Sequence, residues 1–256
     1  DPDERVREAV AKNENAPPDV LRKLADDKLW YVRRAVAKNE KAPPEALKKL
    51  ADDEYWKVRK AVAGNPNAPP EALAKLAGDI YWEIRLAVAW NQSTPHEVLS
   101  KLADDENWYV RRAVARNPRT PPEILAKLAK DGDSDVRRWV AARLDTPIEI
   151  LVKLAKDRSQ KVRIAIARNP NTPPEVLMEL VIRSVSEDVR LAIIENPNAP
   201  PEAFRKMAKD KHRYVKLAVA GSKRTPPDIL VKLASDEDYL VRYAVAENPN
   251  APPDVL

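Results

Sequence analysis

Apolar residues recur along the chain at two spacings. At long range a Val-Arg pair stands at Val6, Val32 and Val58, at Ile84 with Arg85, and at Val110, Val136 and Val162, always 26 residues apart. After one step of 27 it returns at Val189, at Val215 with Lys216, and at Val241. At short range, with that Val taken as position zero, positions 0, +3 and +4 are almost always Val, Ala and Val. At about 100° per residue these share one face, so the spacing predicts a short amphipathic helix in every unit. A second helix is predicted where leucines recur three apart, as at Leu47 and Leu50 or Leu125 and Leu128.

Polar residues mark the ends of both helices. Asp27, Asp53, Asp79, Asp105, Asp131, Asp157, Asp210 and Asp236, with Ser184 in the displaced unit, stand where the first helix should open as N-caps. Asn39, Asn65, Asn91, Asn117, Asn169, Asn196 and Asn248 follow it, and Asn tolerates the left-handed conformation that commonly closes a helix. The second helix opens on Pro-Pro-Glu, where proline loses no needed donor, and Thr172 with Glu175 has the spacing of a capping box.

Ten units follow, starting near residues 1, 27, 53, 79, 105, 131, 157, 184, 210 and 236. A one-residue insertion falls between Glu175 and Asp188, and the last unit breaks off at Leu256. A pair of short helices cannot bury its apolar face alone, so neighbours must stack. The expected fold is all-α: an α-solenoid of ten 26-residue two-helix repeats, forming a single repeat domain over residues 1–256.

Composition narrows the function. Of 256 residues 24 are proline, 4 glycine and none cysteine. Helix starts and loops use up the prolines, so proline here is punctuation rather than disorder. No Gly-rich phosphate loop is present, and without cysteine neither a disulfide frame, a thiolate metal site nor a cysteine nucleophile can form. The longest apolar run, Leu86 to Trp90, is five residues, against about 20 for a membrane span. A soluble, cytoplasmic protein without a signal peptide is expected.

The pattern N-P-N-[AT]-P-P-E-x-L-x-K-L-A-x-D-x4-V-R-x-A-V-A resembles the leucine-rich repeat variant family over essentially the whole chain. That resemblance implies a right-handed superhelix of short helices. Members of the family can carry an iron–sulfur module beside the array, a function that does not transfer to a chain without cysteine. The D-x4-V-R-x-A segment is also similar to HEAT-like repeats, including engineered binders with diversified helix positions. Near-identity of the units reads as an engineered or consensus-derived array.

With a constant frame, partner information must lie where units differ. Positions −2, +2 and +6 of the first helix fall opposite the core face and are expected to face solvent. They and their neighbours hold the aromatics: Trp30, Trp56, Trp82 and Trp108 at −2, Tyr31 and Tyr109 at −1, Tyr55 and Tyr81 at −3, and Trp90 at +6. Since Val, Ala and Leu already supply a core, a ladder of Trp and Tyr marks an interaction surface. Arg34, Lys38, Lys57, Lys60, Arg112 and Arg116 make the same face basic, whereas Glu187, Glu195 and Glu247 make the last units acidic. The candidate partner-binding residues are Trp30, Tyr31, Arg34, Tyr55, Trp56, Lys60, Tyr81, Trp82, Leu86, Trp90, Trp108, Tyr109, Arg112 and Arg116. Arg at +1, which hardly varies, is expected to form structural ion pairs between repeats. Trp139, in place of a core Ala, reads as a local packing change.

Catalytic patterns are missing. His96 and His212 lie more than four units apart and suit neither a metal site nor a triad. No metal, cofactor or enzymatic activity is expected, and the sequon Asn91-Gln92-Ser93 reads as coincidence. The expected function is a non-catalytic scaffold that binds a protein or an extended peptide with acidic, apolar or proline residues. A polyproline II strand repeats about every 9.3 Å, close to the roughly 8–10 Å spacing of packed helices. Single-stranded nucleic acid is the alternative partner, made weaker by a net charge of only +5. A self-assembling array stacked head to tail is the third reading.

Overall fold

The computed structural model describes residues 1–184 and 186–255. Val185, inside the stretch that carries the insertion, and Leu256, where the last unit breaks off, lie outside them. The described residues form nineteen α-helices, one short 3-10 turn and no strand. They divide into two compact units, Asp1–Leu128 and Ala129–Leu256.

Unit 1 alternates first and second helices: α1 (Glu4–Lys12), α2 (Pro18–Leu24), α3 (Trp30–Lys38), α4 (Pro44–Leu50), α5 (Trp56–Ala63), α6 (Pro70–Leu76), α7 (Trp82–Trp90), α8 (His96–Leu102), α9 (Trp108–Arg116) and α10 (Pro122–Leu128). Unit 2 continues with α11 (Ser134–Ala142), α12 (Ile148–Leu154), α13 (Gln160–Arg168), α14 (Pro174–Arg183), α15 (Glu187–Glu195), α16 (Pro201–Met207), α17 (Arg213–Gly221), α18 (Pro227–Leu233) and α19 (Tyr239–Ala246), then the turn Pro253–Val255. The insertion goes into α14, which has 10 residues where the other second helices have seven.

Within each unit the first helices pack in sequence on one another, and second helices such as α4, α6, α8, α12 and α16 pack between the first helices on either side of them. An α-solenoid built of helix pairs is the result. The core face holds Val32, Val36, Leu47 and Leu50, all at most 2% exposed, and the same positions are buried in the following repeats. Each such side chain contributes about 1.5–3 kcal/mol by leaving water, so short helices that would not persist alone are held by their neighbours.

The ends of the helices differ from expectation in three ways. First, the recurrent Asp is not the N-cap. Helix α3 starts three residues after Asp27, on the extended residue Leu29 (φ −97°, ψ 119°), and Asp27 accepts the Leu29 N–H at 3.0 Å in an Asx turn before the helix. Second, the recurrent Asn does not adopt the left-handed conformation: Asn39 is extended (φ −73°, ψ 122°), and among the described residues no φ is positive. Third, Thr172 makes no capping box. Pro173 occupies the N-cap position, and the Thr172 hydroxyl donates to the Ile166 carbonyl at 2.7 Å.

The Asp and Asn serve instead to join repeats. Arg33, at +1 of α3, donates to both carboxylate oxygens of Asp53 in the next repeat, at 2.5 and 2.9 Å, and to the carbonyls of Asp27 and Lys28 in its own turn. The same clamp joins Arg7 to Asp27, Arg59 to Asp79, Arg85 to Asp105 and Arg137 to Asp157, Lys216 holds both oxygens of Asp236, and Arg190 meets Asp210 in a single ion-pair contact at 3.0 Å. A buried amide ladder runs beside it. The Asn65 side chain donates to the carbonyls of Ala37 and Asn39 in the previous repeat, at 2.8 and 3.0 Å, while its oxygen takes the Asn67 N–H. Asn39, Asn91, Asn117, Asn169, Asn196 and Asn248 repeat the arrangement. Carbonyls at the end of one helix, which lack an intrahelical partner, are thus satisfied by the next repeat.

Candidate functional site

All fourteen candidate binding residues lie in unit 1, on α3, α5, α7 and α9 or at the residue that opens one of them. Tyr55 and Tyr81 are the N-cap residues of α5 and α7 rather than helical residues. Leu86 is half-buried on α7.

The four −2 tryptophans are half-buried rather than open to solvent. The reason is the next repeat. Trp30 and Tyr55 have ring centroids 4.3 Å apart at 33°, Trp56 and Tyr81 are 5.8 Å apart at 29°, and Trp82 and Tyr109 are 5.6 Å apart at 26°. Tyr109 also stacks on Trp108 at 3.9 Å, and Tyr31 meets Trp30 edge-on at 5.9 Å. These offset and edge-on arrangements are the favourable geometries for aromatic pairs. The result is a ladder of ring pairs running across four repeats, in which Tyr81 and Tyr109 stay 41 and 39% exposed; Trp90, 40% exposed on α7, stands beside it without a ring partner among the described residues.

Cations cover the ladder. Lys57 lies 5.3 Å from the Trp30 ring, 5.8 Å from Tyr55 and 5.9 Å from Trp56. Lys60 is 5.9 Å from Trp56, the Arg112 guanidinium is 5.1 Å from both Trp108 and Tyr109, and Arg116 is 4.5 Å from Trp90. Cation–π contacts of this kind contribute about 0.5–1 kcal/mol each at exposed sites and restrain long side chains. Lys57 and Lys38, read in the sequence only as part of a basic face, join the site here.

Two grooves open between successive first helices. One, of about 580 Å³ between α1 and α3, is lined by Tyr31 and Arg34 among a mixture of Lys12, Lys41, Glu8, Glu14 and Glu40. The other, of about 480 Å³ between α3 and α5, is lined by Trp56, Arg34, Lys38, Lys57 and Lys60, with Glu40 as its carboxylate. Unit 2 has a smaller groove of about 260 Å³ between α11 and α13, with Arg138, Lys161 and Arg168 but no ring of the ladder.

Trp139 is half-buried on α11 under the Arg138 guanidinium, 5.0 Å from its ring. Tyr214, Tyr239 and Tyr243 of unit 2 are 62, 67 and 58% exposed. The sequon residue Asn91 is buried, its amide donating to Ala63 and Asn65. Among the described residues no group of three or more His, Asp or Glu could hold a metal ion, and no helix is long and apolar enough to cross a membrane.

The model of the leucine rich repeat variant family matches residues 4–29, 56–79 and 108–133. A solved leucine-rich repeat variant, described as having a novel repetitive protein structural motif, is 31% identical over 83% of this chain and 84% of its own, with a TM-score of 0.66. The chain belongs to the leucine-rich repeat variant family. An engineered protein (18% identity, 94% of this chain and 93% of that one, TM-score 0.39) and an Escherichia coli protein (16%, 96% of each, TM-score 0.43) are also similar, at scores too low to bear on this chain. No curated protein matches. The recurring Val, Ala and Leu positions of this chain's repeats supply a buried core that does not include the ladder rings.

Proposed function

We propose that the chain is a non-catalytic repeat scaffold that binds a protein or an extended peptide through the first-helix face of α3, α5, α7 and α9. The observation that carries this reading is the aromatic ladder itself. The core is complete without it, yet four consecutive repeats of unit 1 each add Trp and Tyr and cover them with Lys or Arg. Large aromatics and arginine are the side chains that most often dominate binding energy, and rings already held by stacking lose little freedom on binding. Internal pairing sets how a ligand engages: it meets partly exposed rings, at Tyr81, Trp90 and Tyr109, rather than four free indoles. An extended strand lying across the repeats, about one polyproline turn per repeat, suits that spacing. Near-identity of the units supports a consensus-derived or engineered origin.

Panning a displayed random-peptide library on the immobilised chain tests the proposal. Enriched peptides should lose at least about tenfold in retention on the double variant W56A/W82A, with helicity by circular dichroism unchanged. Retention equal on both proteins overturns it. Oligo-dT captured more tightly than any peptide, with a steep salt dependence, would instead support the single-strand reading.

A further inference from the structure

The groove between α3 and α5 differs from its neighbours in its charge. Arg34, Lys38, Lys57 and Lys60 line it, and among the described residues none of the four lies within ion-pair distance of a carboxylate. Elsewhere in unit 1 five surface lysines are paired, Lys12 with Glu8 at 2.6 Å, Lys48 with Glu71 at 3.4 Å, and Lys49, Lys75 and Lys127 with Asp26, Asp52 and Asp104; what distinguishes the groove is that four cations without a carboxylate partner line one space. Two of the four groove cations are steadied from below by the Trp56 ring, Lys57 and Lys60 both at 5.9 Å, which holds charge in place without neutralising it.

Space is left for an occupant. Position +6 carries Trp90 in α7 and Arg116 in α9, but Gly64 after α5 has no side chain. A Cβ at Gly64 would meet only carbonyls of its own helix, Lys60 O at 3.6 Å and Ala61 O at 3.9 Å. The end of the groove is therefore open, with Ala61 and Pro66 as apolar walls.

From this we infer that the α3–α5 groove takes an aspartate or glutamate side chain of an extended peptide, with an adjoining apolar or proline residue against Trp56. The inference rests on the reading of the first-helix face as a binding surface and names the chemistry it selects. Four unpaired cations call for an anion, and guanidinium and ammonium groups give carboxylates short, charge-assisted hydrogen bonds. A nucleic-acid strand needs a continuous positive track, one phosphate after another. The adjoining groove between α1 and α3 breaks such a track with Glu8 and Glu14, and Glu40 lines both grooves. Isolated acidic side chains in an otherwise apolar peptide fit both grooves, the charged one and the mixed one.

Two acetylated twelve-residue peptides, four repeats of Pro-Pro-Glu and four of Pro-Pro-Gln, provide the test, with dT12 as the nucleic-acid arm. Binding to the whole chain is followed by tryptophan emission and calorimetry. The Glu peptide should bind at least about tenfold tighter than the Gln peptide at low salt, and K57M/K60M should remove that preference while keeping the apolar stems over Trp56. R34M/K38M, on the opposite wall, should reduce the same preference with the Trp56 contacts untouched. Equal binding of the two peptides that W56A still weakens overturns the acid selectivity alone. If W56A has no effect either, the binding-face reading falls with it. Absence of Glu-peptide binding at millimolar concentration, or tighter binding of dT12, also overturns the inference.

Discussion

Arg33 and Asp53 sit 20 residues apart in sequence and meet in a two-pronged hydrogen bond, Nε to Oδ2 at 2.5 Å and Nη2 to Oδ1 at 2.9 Å. Asp53 simultaneously accepts the Tyr55 N–H, so one carboxylate closes the turn before α5 and ties it to the preceding helix. The two side chains are 12 and 4% exposed, which shields the pair from solvent. Arg33→Ala should therefore destabilise the array by about 2–4 kcal/mol, because it leaves a buried carboxylate with only its backbone donor. Urea unfolding followed by far-ultraviolet circular dichroism measures this. A loss below about 0.5 kcal/mol would show the clamp to be idle.

The clamp also sets the response to acid. Burial disfavours the charged form of Asp27, but hydrogen bonds from Arg7 and the Leu29 N–H, with the Arg7 charge, outweigh it and hold the carboxyl below its ordinary value of 3.8. Asp157 beside Arg137 and Asp236 beside Lys216 are held below it in the same way. A carboxylate depressed on folding contributes its full stability above the unfolded value and loses it as pH falls through the folded one. The melting temperature should thus be insensitive to these groups at neutral pH and fall below about pH 4. Asp157→Asn should lower it at pH 7 and make the acid limb shallower; an acid limb identical to wild type would count against the mechanism.

Asn65 offers a sharper test of the inter-repeat frame. It is 2% exposed and its amide serves two carbonyls of the preceding repeat. Asn65→Ala should cost roughly 2–4 kcal/mol, since two buried carbonyls and the Asn67 N–H lose their partner. Asn65→Asp, of equal shape, removes the donors and adds a buried charge, and should cost at least as much. Amide hydrogen exchange in α3 and α5 should rise first, because stability in a stacked array is a sum of neighbour terms.

The stacked rings of the ladder should also contribute to stability. Trp30, stacked at 4.3 Å on Tyr55 and touched by Lys57, should cost about 1–2 kcal/mol when changed to Ala. Tyr239, 67% exposed on α19, should cost less than about 0.5 kcal/mol. Thermal melts of the two single variants distinguish a stacked ring from a merely displayed one, and equal shifts would contradict the stacking.

The sequence by itself determined the helix pairs, their number and their core. Those follow from rules that act over a few residues: apolar spacing of three and four, and proline at the helix start. The 26-residue recurrence then made stacking unavoidable, and the strict Arg at +1 already pointed to a pairing between repeats. What only the tertiary structure decided lies at the joins. Asp27 and Asn39 have the composition of caps, and local rules assign them to their own helices. Their partners are 20 residues back, at Arg7, and 28 residues back, at Ala11, brought within reach only when repeats stack. The same holds for the candidate site. Its residues were legible as a varying face, but Trp30 is half-covered because Tyr55 of the next repeat folds over it, and Lys57 belongs to the site because stacking brings it over three rings. The unpaired charge of the α3–α5 groove is likewise invisible in sequence, where Lys38 and Lys60 look no different from the paired Lys49 and Lys75. Whether a surface cation has a carboxylate partner depends on which helices become neighbours, and that is settled by packing alone.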